Sequence, residues 1–268
     1  MSKPLTFQHI RNATGKIIYN GLSILVDPIL CPKGTYPGFD VADSVERKKM
    51  RNPLLELPIP VEEILKDIEA VILTHTHSDH WEEHAAKLIP KNIPIFVQHA
   101  GDKRLVQSQG FADVRVVGVN TPFKGITITK TGGQHGSDEI LSVPAIAELA
   151  DESMGFVLRA PGEKTIYFAG DTIWHDYVEC SIKKYNPDYI VLNTGEAKIE
   201  GFKGSLIMGT DDVKRCVELT KKAKVITVHM DAINHCVCSR EMMRNFVKEN
   251  KLEENVFVPN DGEVINLL

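Results

Sequence analysis

"ILTHTHSDHW", residues 72–81, places three histidines and an aspartate within six residues, directly after an apolar run. The chain has only 10 histidines in 268 residues, so this short loop concentrates nearly a third of them. His75 and His77 are two apart, with Asp79 and His80 following. Helical side chains at i and i+2 diverge by about 200°. The spacing therefore suits a loop at the C-terminal edge of a strand, where imidazoles and a carboxylate converge on a metal. At this histidine frequency, chance produces H-x-H-x-D-H in such a chain on the order of one time in a thousand. The plainer reading is a polar helix N-terminus capped by Ser78 or Asp79, a role compatible with metal binding.

The flanks agree with that placement. "AVILTH" (70–75) reads as a buried strand, and "WEEHAAKLI" (81–89) puts Trp81, Ala85, Leu88 and Ile89 on one helical face. Upstream, "LTFQHI", "GKIIYNG" and "LSILVDP" are short apolar runs punctuated by Asn12, Gly15 and Asn20-Gly21, the pattern of a β-meander. From 31 to 60 the pattern breaks, with prolines at 32, 37, 53, 58 and 60. Loops of that length in compact domains are usually functional or disordered. Downstream, strands are expected in "IPIFVQ", "VRVVGV", "GITITKT", "GFVLRA", "KTIYFAGD", "DYIVLN" and "VITVH". Helices are expected in "VEEILKDI", "DKRLVQSQG", "DDVKRCVELTKKA" and "SREMMRNFVKE". Both halves run strands first and strand–helix alternation second, with no linker or short repeat between them. The expectation is one mixed α/β domain over 1–268, two packed sheets with helices outside.

Bulk properties exclude several classes. The composition, 43% hydrophobic and 25% charged, is that of a soluble globular chain. A net charge of −5 and the lack of a basic block argue against a nucleic-acid-binding face. Lys221, Lys222 and Lys224 read as the solvated end of a helix. No stretch approaches the ~18–20 apolar residues of a membrane span, and the N-terminus has no secretory pattern. The five cysteines, Cys31, Cys180, Cys216, Cys236 and Cys238, are an odd count that suggests reduced thiols. The expected compartment is the cytoplasm.

The H-x-H-x-D-H loop after a strand resembles that of the metallo-β-lactamase-fold hydrolases, and the likeness continues along the chain. "TGGQHGSDE" offers His135, "IYFAGDT" offers Asp171 at a strand end, and "VITVHMDAINH" offers His229 at another. These elements occur in that family's order, over about residues 7 to 265. The resemblance implies a four-layer αβ/βα sandwich. It implies that His75, His77 and His135 hold one metal, that Asp79, His80 and His229 hold a second, and that Asp171 bridges them. Imidazole and carboxylate without thiolate suit zinc, manganese or iron. Two divalent cations ~3.5–4 Å apart can share a hydroxide and polarise a scissile bond, so the implied nucleophile is dimetal-bound hydroxide.

His235, six residues past His229, is the rival for the last ligand position. A strand end is the better place for a ligand, which favours His229 and leaves His235 as a substrate or proton-transfer residue, a catalytic candidate beside Asp79. His84 reads as a residue supporting a ligand or lying on the surface. His9, His99 and His175 read as structural, with His175 also a candidate for the site's rim. Cys236 and Cys238 read as small apolar packing residues. Asp27, in "SILVDPIL", is expected to end its strand beneath the metal loop and hydrogen-bond it, besides opening an Asp-Pro turn.

"LVDPIL", "RNPLLELPIP" and "SLIMGTDDV" are similar to the branch of the family that includes L-ascorbate-6-phosphate lactonase and, more distantly, an N-acyl-phosphatidylethanolamine phospholipase D. This likeness implies a lactone or phosphodiester substrate. Against it, the chain has no Gly-rich phosphate loop and no arginine cluster, only Arg47, Arg51, Arg159 and Arg240. If the 31–60 loop covers the cleft, Arg47, Lys48, Lys49 and Arg51 are candidates to hold an anionic substrate; the plainer reading is a solvated charge run. The expected partner is a small molecule, with neither nucleic acid nor membrane, and a homo-oligomer is as compatible as a monomer. The alternatives are a nuclease of this fold, which would want a basic groove, and a non-hydrolytic di-metal protein, which usually carries a carboxylate where this chain has His77.

Overall fold

The structure is a computed structural model that describes residues 4–150 and 152–268. Two seven-stranded sheets face each other and repeat one plan. In the first, Val264–Asn266, Thr6–Arg11, Thr14–Tyr19 and Leu22–Val26 pair antiparallel, then Ala70–Ile72, Ile95–Val97 and Val114–Val116 continue in parallel. In the second, Thr121–Phe123, Ile126–Thr131, Gly155–Arg159 and Ile166–Phe168 pair antiparallel. Tyr189–Asn193, Lys224–Val228 and Val256–Phe257 then extend it in parallel.

The central core forms where the sheets meet: Phe7, Ile17, Ile24 and Phe96 from one sheet pack against Phe156, Phe168, Val191 and Ile226 from the other. Phe156 and Phe168 stack at 4.6 Å. Each outer face is then covered by helices, because parallel strands buried on both sides carry apolar residues in both directions. On the first sheet, Leu25, Val71 and Ile95 meet Trp81, Ala85 and Val106 from helices Glu83–Leu88, Ala100–Ser108 and their approaches. On the second, Val157, Ile190 and Val225 meet Val178, Val213 and Met243 from helices Asp176–Tyr185, Thr210–Thr220 and Arg240–Glu249. This is the four-layer αβ/βα sandwich expected from the sequence.

Several details depart from expectation. The helix after the metal loop starts at Glu83, and its N-cap is Glu82, whose carboxylate accepts from the Ala85 and His84 amides, not Ser78 or Asp79. The reason is local: the His80 and Trp81 amides both donate to the His77 carbonyl, closing a turn that postpones the helix. The helix Asp176–Tyr185 was not anticipated, although His175 caps it, Asp176 opens it, and Lys183 and Lys184 lie in its last turn. Nor were two short helices, Asp138–Leu141 and Pro144–Ala150. The 31–60 loop is ordered by a two-stranded ribbon, Tyr36–Pro37 with Arg51–Asn52, and by the single helical turn Val45–Lys48. Helix Thr210–Thr220 ends with Lys221 in a left-handed cap, and Lys224 begins the next strand. Among the described residues, no helix is long and apolar enough to cross a membrane.

Candidate metal centre

Open α/β sheets bind ligands beyond the carboxyl ends of their parallel strands, and this chain gathers its candidates there. The 70–72 strand leads to His75, His77, Asp79 and His80; the 166–168 strand to Asp171; the 224–228 strand to His229; and the antiparallel 126–131 strand to His135. All but His77 are buried. The backbone turns sharply at these points: His229 has φ 64°, and Gly170, which aims Asp171, has φ +70°. A Cβ on Gly170 would also collide with the Met154 carbonyl, so only glycine fits there.

The side chains meet at Asp171. Its Oδ2 lies 3.1 Å from His80 Nε2, 3.7 Å from both His135 Nε2 and His229 Nε2, and 4.0 Å from His75 Nε2. Its Oδ1 accepts from Asn193 Nδ2 at 2.5 Å. His75 Nε2 and His77 Nδ1 are 3.0 Å apart, and His80 Nε2 and His229 Nε2 are 3.1 Å apart. Asp79 Oδ2 is 3.5 Å from His229 Nε2. Three groups have donor atoms close enough to share an ion: His75, His77 and His135; His75, His80 and Asp171; and Asp79, His80 and His229.

The opposite ring nitrogens test whether these residues suit metal ions. His75 Nδ1 lies 3.0 Å from Thr74 Oγ1, whose hydroxyl donates to Asp27. His80 Nδ1 donates to Asp27 Oδ2 at 2.9 Å, His135 Nδ1 to the Leu206 carbonyl at 3.1 Å, and His77 Nε2 to the Leu149 carbonyl at 2.9 Å. His229 Nδ1 lies 3.4 Å from Cys236 Sγ. Each bond to a carbonyl, to the Asp27 carboxylate or to the Thr74 oxygen fixes a tautomer and turns the other nitrogen's lone pair inward, the usual arrangement around a metal-binding histidine. The donor set fits divalent cations.

Asp27 occupies the position expected of it. Its carboxylate accepts from the Thr74 amide at 2.8 Å and the Thr74 hydroxyl at 2.7 Å, besides His80. Asn12 had no role in the sequence reading beyond marking a turn. Its Nδ2 donates to the Asp79 carbonyl, and its own carbonyl accepts from the His229 amide, so one residue ties the two ligand loops. Asn193, Asn12 and the Leu149 carbonyl were all missed; Asn193, ending a fully buried strand, offered the one sequence signal.

Charge is unevenly distributed. Burial, with the neighbouring His80 and His77, keeps His75 well below the usual histidine range, and burial lowers His135. Burial also pulls on His80, but Asp171, Asp27 and Asp79 outweigh it and push it up to about 10. His229 is likewise driven up against burial, chiefly by Asp171 and Cys236. Burial opposes ionisation of Asp79 and Asp171, yet the surrounding histidines hold both well below the carboxylate range.

His235 stands apart. Its Nε2 is 3.8 Å from Asp79 Oδ2, its ring stacks on Phe39, and its Nδ1 is buried without a partner. Burial pushes its pKa down to about 4. The strand-end His229 sits among the converging donors and His235 at their margin. His84 is half-buried beside Glu82. His99 caps a helix, His9 is buried against main-chain carbonyls, and His175 lines a separate polar groove with Trp174 and Glu179. All five cysteines are free. Cys238 packs in the core, whereas Cys236 also touches a ligand candidate.

A cavity of about 420 Å3 opens onto His77, Asp79, His135, Asp171 and His235. Apart from Thr76 and Ser78 its remaining walls are apolar, Phe39, Val41, Ile146, Leu149, Ala150, Ile199 and Leu206, and no described lysine or arginine lines it. Arg47 and Arg51, considered above as anchors for an anionic substrate, are otherwise engaged. Arg51 donates to the Gly34 and Thr35 carbonyls, and Arg47 to those of Asn234 and Cys236. The Arg47 bonds are partly buried, and leaving them would strand two carbonyls; the Arg51 bonds lie at the surface, away from the cavity lining.

Comparisons with known proteins agree with this geometry. Residues 23–230 match the beta-lactamase superfamily domain. The UPF0173 protein YddR of Bacillus subtilis is 40% identical over 97% of this chain and 98% of its own length. The UPF0173 metal-dependent hydrolase MJ1163 of Methanocaldococcus jannaschii is 26% identical, covering 81% and 90% of the two chains. Among solved structures, a possible metal-dependent hydrolase from Veillonella parvula superposes with TM-score 0.97 at 45% identity, covering 99% of this chain and 100% of that one. An isothiocyanate hydrolase from Delia radicum gut bacteria gives TM-score 0.92 at 39% identity, covering 98% and 99%. The chain belongs to the beta-lactamase superfamily as one of its metal-dependent hydrolases.

Proposed function

We propose that this chain, working as one domain over 1–268, hydrolyses a small uncharged molecule at a centre of two divalent ions. His75, His77 and His135 would hold one ion and Asp79, His80 and His229 the other, with the Asp171 carboxylate between them. Manganese and zinc suit these donors best, and iron is compatible. Bound there, the ions would supply Lewis acidity and a water acidified toward neutral pH. The five free thiols, exposed Cys180 among them, suit a reducing compartment, and we place the protein in the cytoplasm.

The single observation that carries the substrate reading is the cavity. Apolar walls bind an apolar tail by removing it from water, whereas a buried anion without a partner is costly. Of the ester-type bonds considered, an uncharged lactone therefore fits better than a phosphodiester or a phosphorylated lactone. Apolar walls also weigh against a nuclease. Ionised Asp79 serves as a ligand and orients His235 through Nε2. His235, neutral at physiological pH, is placed to accept a proton at Nδ1 and return it to the leaving group.

A second reading comes from the 39% identical isothiocyanate hydrolase. An isothiocyanate is likewise small, uncharged and apolar-tailed. Water adding across its C=N bond gives a thiocarbamic acid, which breaks down to an amine and carbonyl sulfide. The test is turnover of manganese- or zinc-loaded protein on three panels: alkyl lactones, alkyl and aryl isothiocyanates, and phosphodiesters. Activity on either uncharged panel is expected. Activity confined to phosphodiesters, or failure to take up metal, would overturn the proposal.

A further inference from the structure

Two loops far apart in sequence, 38–52 and 231–238, are joined by one knot of polar contacts. Buried Asn234 is its centre. Its Oδ1 accepts from the Phe39 amide and from Asn52 Nδ2, both at 2.9 Å. Its Nδ2 donates to the Phe39 carbonyl at 2.9 Å and the Arg47 carbonyl at 3.0 Å, and its own amide donates to Asn52 Oδ1 at 2.9 Å. The approach is so close that a Cβ on Gly38 would lie 2.7 Å from Asn234 Nδ2. Arg47 completes the knot: its Nη1 donates to the Asn234 carbonyl at 3.1 Å and the Cys236 carbonyl at 2.7 Å, one on each side of His235.

The knot fixes one arrangement. Phe39 lies face to face on the His235 ring, centroids 4.8 Å apart and planes 13° from parallel. Both residues line the cavity.

We propose that Arg47 is a positioning residue: by gripping the carbonyls on either side of His235 it holds that imidazole against Phe39, and the pair sets which apolar substrates the cavity accepts. This rests on the hydrolase reading above. A substrate-binding arginine would project into the cavity, but Arg47 does not line it. Its charge acts on the main chain, and its influence on substrate passes through Phe39 and His235.

The test is a double-mutant cycle on the metal-loaded enzyme with Arg47→Met, Arg47→Lys, Phe39→Leu and the Phe39→Leu/Arg47→Met pair, using the best uncharged substrate. Histidine 1H–13C spectra, which need no turnover, accompany it. Arg47→Met is expected to raise KM roughly tenfold, the size of one lost charge-assisted hydrogen bond, and by more than kcat falls. Arg47→Lys should recover part of this. The double variant should be little worse than Phe39→Leu alone, because both remove one arrangement. The His235 ring protons should lose their upfield shift in Arg47→Met, with metal content unchanged. Additive effects, or a KM effect confined to anionic substrates and abolished by salt, would overturn the proposal in favour of direct charge recognition. An unchanged KM and ring shift with a lower Tm would overturn it in favour of a purely structural role. A wild-type enzyme inactive on every panel would sink the hydrolase reading instead, and the ring shift would still decide what Arg47 does.

Discussion

The main-chain carbonyl of Leu149 lies 2.9 Å from Nε2 of His77. A carbonyl only accepts, so Nε2 carries the proton and Nδ1 is left as the lone pair facing His75 Nε2 at 3.0 Å. The helix Pro144–Ala150 supplies Ile146, Leu149 and Ala150 to the cavity wall. One segment thus shapes the substrate space and orients a proposed metal ligand.

Replacing Pro144–Ala150 with a short Gly/Ser loop is therefore expected to change two quantities together. Affinity for the ion proposed at His77 should fall, roughly 10- to 100-fold as for other lost partners of ligating histidines, and KM for apolar substrates should rise. Competition titration against a chelator measures the first, steady-state kinetics the second. Unaltered ion affinity would show that the Leu149 contact does not orient His77.

Much of this site was legible in the sequence because its signals are local. H-x-H-x-D-H is contiguous, and Asp171 and His229 each end an apolar run, so strand-end position could be inferred from the run itself. His135 stands between glycines, and Asp27 was readable for the same strand-end reason. What escaped notice is non-local. Arg47 reads as a surface charge beside Lys48 and Lys49, and only the fold brings it to carbonyls nearly 190 positions away. Helices Asp138–Leu141 and Pro144–Ala150 bury one residue each, Ile140 and Ala150, and the second turns Ile146 and Leu149 to the cavity, so amphipathic periodicity is weak in such short stretches. Glu82 outranked Ser78 and Asp79 as cap because the turn at His77 left the first free helical amides opposite its carboxylate.

Asp27 holds Thr74 and His80 with one carboxylate, from a backbone position at φ 44°. Asp27→Asn preserves shape but removes the charge that orients His80, and an Asn tolerates that φ. The fold should persist, with ion affinity lowered roughly 10- to 100-fold. Asp27→Ala should be worse, since it leaves the Thr74 amide and His80 Nδ1 buried without acceptors, at about 1–3 kcal/mol each. Circular dichroism, Tm and metal content separate the two variants; equal metal retention in both would rule out an orienting role.

Ion loading should release protons. In the ion-free protein Asp171, Asp27 and Asp79 push His80 up to about 10 and Asp171 with Cys236 drives His229 up, so these two rings, with Nε2 atoms 3.1 Å apart, share an extra proton. A ligating imidazole must be neutral, so that proton leaves as ions bind. The sign follows: affinity should increase with pH across the range from about 6.5 toward about 10 and level off above it. Calorimetry at pH 7 in buffers of different ionisation enthalpy should report net release of about one proton or more per chain. Zero release would mean that neither histidine is protonated before binding, or that neither is a ligand.

His229 and His235 are distinguished by what surrounds them. His229 Nε2 lies within 3.7 Å of His80, Asp79 and Asp171, whereas among the described residues His235 comes within 4 Å of one of these carboxylates, Asp79 at 3.8 Å, and its Nδ1 has no partner. His229→Ala should therefore lose one metal equivalent and with it all activity. His235→Ala should keep both ions and lower kcat roughly 10²- to 10⁴-fold, the range for a proton-transfer residue. It should also flatten the low-pH limb of the kcat profile, because a group titrating at about 4 in the ion-free protein no longer has to be neutral. Elemental analysis of both variants, beside pH–rate profiles, settles the assignment: a metal equivalent lost from His235→Ala would exchange the two roles.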